Sequence, residues 1–129
     1  MQIKFVSVMV HDQESALRFY TEALGFKKMA DIPTGEYRWL TVTSPDGLEG
    51  VEMVLEPLAF PPALAYQKAL FDAGIPATAF ITNDITAEVA RLKGKGVKFR
   101  GDPADMGMVV GVMFEDTCGN LIHLVQPKE

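Results

Sequence analysis

The chain has 129 residues, 48% of them hydrophobic, with 12 Lys and Arg against 17 Asp and Glu for a net charge of −5. That length supports one compact domain rather than two, and a net negative field argues against a general phosphate-backbone binder. The lone cysteine, Cys118, excludes an internal disulfide and any four-cysteine zinc site, which points to a reducing, cytoplasmic setting.

The opening MQIKFVSVMVHDQ breaks at His11-Asp12 without a small-residue cleavage pattern, so it reads as a strand. No run approaches the roughly 18 apolar residues of a membrane span. From Ile3 to Val10, Val6, Val8 and Val10 alternate with Phe5, Ser7 and Met9, which gives the strand two distinct faces. Asp12 stands at an N-cap position before an apolar stripe of Ala16, Leu17, Tyr20 and Leu24, and Gly25 supplies the stop. Strands are predicted at Phe26 to Asp31, Tyr37 to Thr43 and Gly50 to Glu56, separated by the turn signals Pro33-Thr34-Gly35 and Ser44-Pro45-Asp46-Gly47.

The stretch from Pro57 to Pro76 predicts a short helix over Ala63 to Ala73. Tyr66 and Leu70, four apart on one face of it, would cover either the chain's own cavity mouth or a partner chain. The first half's order then recurs. Ala77 to Thr82 is a strand, Asp84 a cap, and Ile85, Val89 and Leu92 keep helical spacing before Gly94 or Gly96; strands follow at Val97 to Arg100, Met108 to Glu115 and Asn120 to Val125. Asp12 and Asp84, Gly25 and Gly96, and Gly47 and Gly119 stand 72, 71 and 72 residues apart. Caps, stops and turns recurring at one offset indicate duplication. The organisation read from the residues is therefore α+β, with two βαβββ modules at 1–56 and 77–129 joined by a connector at 57–76 within a single domain.

Two segments carry a family resemblance. Asp12-Gln13-Glu14-Ser15-Ala16-Leu17-Arg18-Phe19-Tyr20 with Leu24-Gly25-Phe26, and Phe114-Glu115-Asp116-Thr117-Cys118-Gly119-Asn120-Leu121-Ile122, resemble the first-helix and last-hairpin signatures of the vicinal oxygen chelate superfamily. That superfamily groups glyoxalase I, bleomycin and fosfomycin resistance proteins and extradiol dioxygenases. The resemblance spans nearly the whole chain. It implies paired modules curling into a cup-shaped, incomplete β-barrel, with a homodimer completing or walling the site. Carried over position by position, the ligands of metal-dependent members fall on Phe5, Glu52, Ala77 and His123. Phe5 and Ala77 have no donor atom, so only Glu52 and His123 remain as metal candidates, and the expected cofactor is none or a weakly held divalent metal.

Glu52 and His123 are also the catalytic candidates, as an acid and base, an ion pair or substrate hydrogen-bond partners. The plainer alternatives are a glutamate reaching solvent at the cup rim and a satisfied structural histidine. Alternation adds Phe5, Ser7, Met9, Tyr37, Trp39 and Thr41 to the ligand-facing side, with Trp39 as an amphipathic stacking wall. The repeat sets Gly111 opposite Trp39, a ring against an absent side chain, which leaves room for a ligand, and Met113 opposite Thr41. Tyr66 joins the lining from the connector. Met9, Met53, Met108 and Met113 would make either a pliable lining or ordinary core.

Other motifs point to little chemistry. Cys118 has no basic sequence neighbour to activate it, Gly94-Lys95-Gly96 ends a helix rather than opening one, and Lys93, Lys95, Lys98 and Arg100 suit a solvated face. The expected function is small-molecule binding in an apolar cup with an incomplete metal-ligand set. The rivals are a lyase, isomerase or dioxygenase using Glu52 and His123, and a dimeric structural module with an unused cavity. The expected partners are a small molecule and a second copy of the chain, with no nucleic acid and no membrane.

Overall fold

The computed structural model describes all 129 residues. In chain order the elements are β1 (Phe5–Val10), α1 (Gln13–Arg18, continuing as a π-helical turn over Phe19–Ala23), β2 (Lys27–Thr34), β3 (Tyr37–Thr43), β4 (Glu52–Pro57), α2 (Pro61–Asp72), β5 (Thr78–Ile81), α3 (Ile85–Gly94), β6 (Lys98–Asp105), β7 (Val109–Glu115) and β8 (Leu121–Pro127). They build two four-stranded sheets of identical plan, β1-β4-β3-β2 and β5-β8-β7-β6. Within each, the outer pair β1/β4 or β5/β8 is parallel and the other pairs are antiparallel. Neither sheet closes into a barrel, so each leaves one face open, and the α+β plan of two repeated cups stands. No helix is long and apolar enough to cross a membrane.

The repeated caps do equivalent work. Asp12 accepts the N–H of Ser15 and Asp84 that of Ala87, each three residues into its helix. Gly25 and Gly96 both adopt positive φ, 84° and 86°, where a side chain would be strained. The third repeated mark is not equivalent. Gly119 sits at φ 99°, whereas Gly47 is outside the positive region, because the first module crosses from β3 to β4 by a longer loop.

Strand lengths differ from the sequence reading in both outer hairpins. β2 runs on to Thr34 and β6 to Asp105, through Pro33 and Pro103. Both are edge strands, where a proline's missing N–H faces no partner. β1 starts at Phe5 rather than Ile3, and Val6 is 47% exposed, so only Val8 and Val10 of the valine row are buried.

One core serves both halves. The helix-facing residues Val8, Val10, Leu40, Val42 and Leu55 join Ala16 and Tyr20 of the first helix, and the same cluster continues into Ile85, Val89, Leu92, Val112, Phe114, Ile122 and Leu124. Each fully buried aliphatic side chain contributes on the order of 1.5–3 kcal/mol, against about 0–1 for a surface ion pair such as Arg38 with Glu14. The shared layer therefore dominates stability. Rings cross the boundary, Tyr20 meeting Phe80 at 6.5 Å and Phe26 meeting Phe80 at 5.3 Å, both edge to face. Arg91 of α3 donates to the carbonyls of Ala23 and Leu24 at 3.2 Å each, closing the C-terminal end of the first helix.

Polar groups lock the same junction. The Asp116 carboxylate accepts from the Tyr20 hydroxyl at 2.7 Å, from Asn120 Nδ2 at 2.7 Å, and from the backbone N–H groups of Cys118 and Asn120. Asn120 Nδ2 also donates to the Met9 carbonyl, at 2.7 Å. Gln67 of α2 donates to Met9 O, Cys118 O and Asn120 Oδ1, so the connector is pinned to both modules. A Cβ at Gly119 would lie 2.7 Å from Gln67 Oε1 and from His11 Nε2, which leaves glycine as the residue that fits. The sequence reading placed the covering face of this helix at Tyr66 and Leu70; the buried face is that of Gln67, while Tyr66 is 67% exposed.

Candidate functional site

The open face of the first sheet is assembled from three strands. β1 carries Phe5, Ser7 and Met9, with Phe5 beside Glu52 and Ser7 beside Val54 on β4, and Val54 beside Thr41 on β3. Leu40 and Val42 point the other way and are fully buried in the core, which puts Tyr37, Trp39 and Thr41 on the open side as the alternation requires. Phe5 and Trp39, on the strands flanking β4, meet edge to face with ring centroids 5.4 Å apart. Both rings remain partly exposed, Phe5 at 45% and Trp39 at 36%. They form an aromatic wall with a solvent-facing side rather than a closed plug.

Glu52 is the fixed polar group of this wall. Its Oε1 accepts the Thr41 hydroxyl at 2.6 Å, and Thr41 Oγ1 in turn accepts the Ala30 N–H at 3.1 Å. Its Oε2 pairs with Lys4 at 3.2 Å. The Thr41 hydrogen bond, and after it Lys4, hold the carboxyl below the usual glutamate range against the opposing effect of burial, so Glu52 is an anion at neutral pH. Thr41 has no exposed surface. Its role is to position Glu52, not to line the cup. Ser7 donates to Glu56 Oε1 at 3.3 Å, which places a second carboxylate on the same face.

The second sheet presents different groups. His123 on β8 stands beside Met113 on β7 and Ala79 on β5, and Met113 stands beside Arg100 on β6. The strand neighbour of His123 is thus Ala79, whereas Ala77 precedes β5; neither has a donor atom. The imidazole makes no hydrogen bond within the chain and lies over Gly111, where a Cβ would come 2.5 Å from Nε2 and 3.1 Å from Met106 Sδ. The space expected at Gly111 for a ligand is therefore filled by His123 and Met106. Met108 is 85% exposed and lines nothing within the chain. Lys98 and Arg100 converge on Glu115 at 3.6 and 3.1 Å, and the Arg100 guanidinium sits 5.1 Å from the centre of the Phe71 ring, so this basic pair is engaged rather than simply solvated.

Glu52 and His123 lie on different sheets, and neither a hydrogen bond nor an ion pair joins them. A divalent metal does not fit the donors of one chain. Two of the four family positions lack a donor atom, the Glu52 carboxylate already carries an ammonium, and no three His, Cys, Asp or Glu side chains gather at one point. Cys118 is buried, and burial with the neighbouring Asp116 charge pushes its thiol up to about 12, which removes it as a nucleophile. Two surface grooves, one along Arg18, Phe19, Glu22, Ala23 and Lys95 and the other around Thr82, Asn83, Gln126, Pro127 and Lys128, include neither Glu52 nor His123 nor the Phe5 and Trp39 rings.

Residues 2–124 match the family described as the Glyoxalase/Bleomycin resistance protein/Dioxygenase superfamily. An uncharacterized Bacillus subtilis (strain 168) protein, YurT, is 52% identical over 126 residues, covering 98% of this chain and 99% of its own. Among solved structures, UcmS2 superposes with a TM-score of 0.82 at 31% identity over 97% of each chain. TnmS3, an antibiotic binding protein from Streptomyces sp. CB03234, superposes with a TM-score of 0.78 at 32% identity, over 99% of this chain and 97% of that one.

Proposed function

Because this chain belongs to the glyoxalase/bleomycin resistance protein/dioxygenase superfamily, we propose that it binds a small amphipathic molecule in its cup, without a resident metal. The observation that carries this reading is the partly exposed Phe5 and Trp39 wall set beside a fixed Glu52 anion. An apolar surface with a few oriented polar groups is what a small-molecule site needs, and the incomplete donor set argues against chelation as its purpose. Likeness to an antibiotic binding protein over the whole chain supports the same class of ligand.

The reading includes a homodimer. Open sheet faces bearing Phe5, Tyr37 and Trp39, with Ile81 and Met108 exposed on the second module, are apolar surface that a second copy would cover. In that arrangement the first module of one copy faces the second module of the other, and the Glu52 wall and His123 meet in one site. A cytoplasmic location is supported by the lone, buried Cys118 thiol.

The test is a small-molecule screen read by melting temperature, together with elemental analysis of protein purified without a metal-affinity tag. The reading expects a reproducible stabiliser whose effect is lost in Trp39→Ala, and far less than one metal per chain. Stoichiometric metal that disappears in His123→Ala would overturn it in favour of an enzyme using Glu52 and His123.

A further inference from the structure

Lys4 stands in the coil just before β1, and its ammonium makes three contacts at once. It lies 3.2 Å from Glu52 Oε2, donates to the Gly50 carbonyl at 3.2 Å, and sits 5.4 Å from the centre of the Phe5 ring. A carboxylate, a carbonyl oxygen and an aromatic ring are the groups that recognise an alkylammonium ion. The receptor and its occupant differ in how firmly they are held. The Glu52 side chain is 13% exposed and tied to fully buried Thr41, while the Lys4 side chain is 51% exposed on a long flexible stem, only its backbone being fixed, by the Glu52 N–H donating to the Lys4 carbonyl at 2.8 Å. A loosely held cation thus fills a rigid site.

We propose that this is an ammonium subsite of the cup, occupied in the free protein by the chain's own Lys4, and that the molecule taken by the cup carries a primary amine that displaces Lys4. The inference rests on the cup-binding reading above and adds to it the charge and functional group of the ligand. Glu56, on the same face two residues past Val54, keeps the surroundings of the subsite acidic, and the net charge of −5 draws cations toward the chain. When Lys4 leaves, its ammonium enters solvent and the incoming ammonium takes over the Glu52, Gly50 and Phe5 contacts. Charge on the site is therefore conserved.

Trp39 is the only tryptophan and touches Phe5, so its emission reports on the subsite. The probes are 2-phenylethylamine and its neutral counterpart 2-phenylethanol, titrated against the full chain. The wild-type protein is expected to bind the amine more tightly than the alcohol. Lys4→Met should tighten the amine by about fivefold, the factor given by a surface ion pair near the top of its usual range, and leave the alcohol unchanged. Glu52→Gln should erase the preference for the amine, and an unchanged urea midpoint of that variant shows that the fold is intact. Equal affinity for the two probes in wild type and Lys4→Met, or weaker amine binding in Lys4→Met, overturns the subsite but leaves the cup reading standing. No response to either probe also overturns the subsite, and the small-molecule screen then judges the cup separately.

Discussion

The sheets β1-β4-β3-β2 and β5-β8-β7-β6 have the same strand order and pairing sense, yet their open faces carry different chemistry. The first sets two aromatic rings and a carboxylate side by side; the second sets an imidazole over a glycine, with a thioether packed against it. Their helix-facing sides are alike in being apolar, aliphatic in the first sheet and joined by Phe80, Phe99 and Phe114 in the second, because those residues share one core and a change in one is felt by its neighbours. Nothing couples the open faces in this way. A duplicated fold can therefore keep its backbone while its two cups become chemically unlike, and a site that needs both must be built by bringing the different faces together.

The largest test of the contrast concerns the turns that join the last two strands of each module. Asp116→Ala would leave the Tyr20 hydroxyl and the backbone N–H groups of Cys118 and Asn120 without their acceptor and remove one of the two acceptors of Asn120 Nδ2, and should cost about 3 kcal/mol or more in urea unfolding. Ser44→Ala, at the equivalent place before β4, should stay within about 0.5 kcal/mol. Comparable losses would mean that the two turns are not functionally unequal. Next in size is Gly111→Ala, whose Cβ must displace the His123 ring. It should destabilise by about 1–3 kcal/mol, and the double variant Gly111→Ala with His123→Ala should recover part of that loss.

A smaller effect is expected from Phe5→Ala. Loss of the edge-to-face contact is worth about 0.5–1.5 kcal/mol beyond area, and Trp39 emission should shift to the red as the ring gains water. His123→Ala should leave that emission unchanged in dilute monomer; a shift that grows with protein concentration would place His123 near Trp39 across a dimer.

The smallest effect is the response to acid. Asp12, Asp31 and Glu52 of the first module have carboxyls held below their ordinary range by Ser15, Arg38 and Thr41 respectively, whereas the second module has only Asp105, held down by Lys128. A depressed folded-state pKa contributes stability that is present above the unfolded value and is lost as pH falls through the folded one. Hydrogen exchange on acidification below about pH 4 should therefore open the first module's α1 and β2–β3 hairpin before β6 and β7.

Much of the scaffold was legible because it follows local rules. The burial of Leu40 and Val42 against the exposure of Tyr37 and Trp39 follows a period of two, and the Asp12 and Asp84 caps follow the chemistry of a free N–H. Features that depend on distant partners were not legible. Gln67 reads as a polar residue in an Ala-rich helix and is buried because three acceptors from Met9, Cys118 and Asn120 converge on its amide. Gly111 reads as vacant space because its occupant, His123, comes from the diagonal position on the next strand. Lys4 carries no motif at all. Its importance to Glu52 arises from the parallel pairing that sets Phe5 beside Glu52, a register that no single segment contains.

The Met9 carbonyl, at the end of the first strand, accepts from Asn120 across 111 residues of sequence, and Tyr20 finds its acceptor 96 residues away. The first strand is thus completed by a hairpin that follows it by more than a hundred residues. Such long-range closure raises the entropic barrier to folding and delays the gain until late in assembly. During translation the first module has its hydrophobic face ready but not its locking partners, so the cup that carries Glu52 acquires its final support only when the hairpin at Asp116 to Asn120 has emerged.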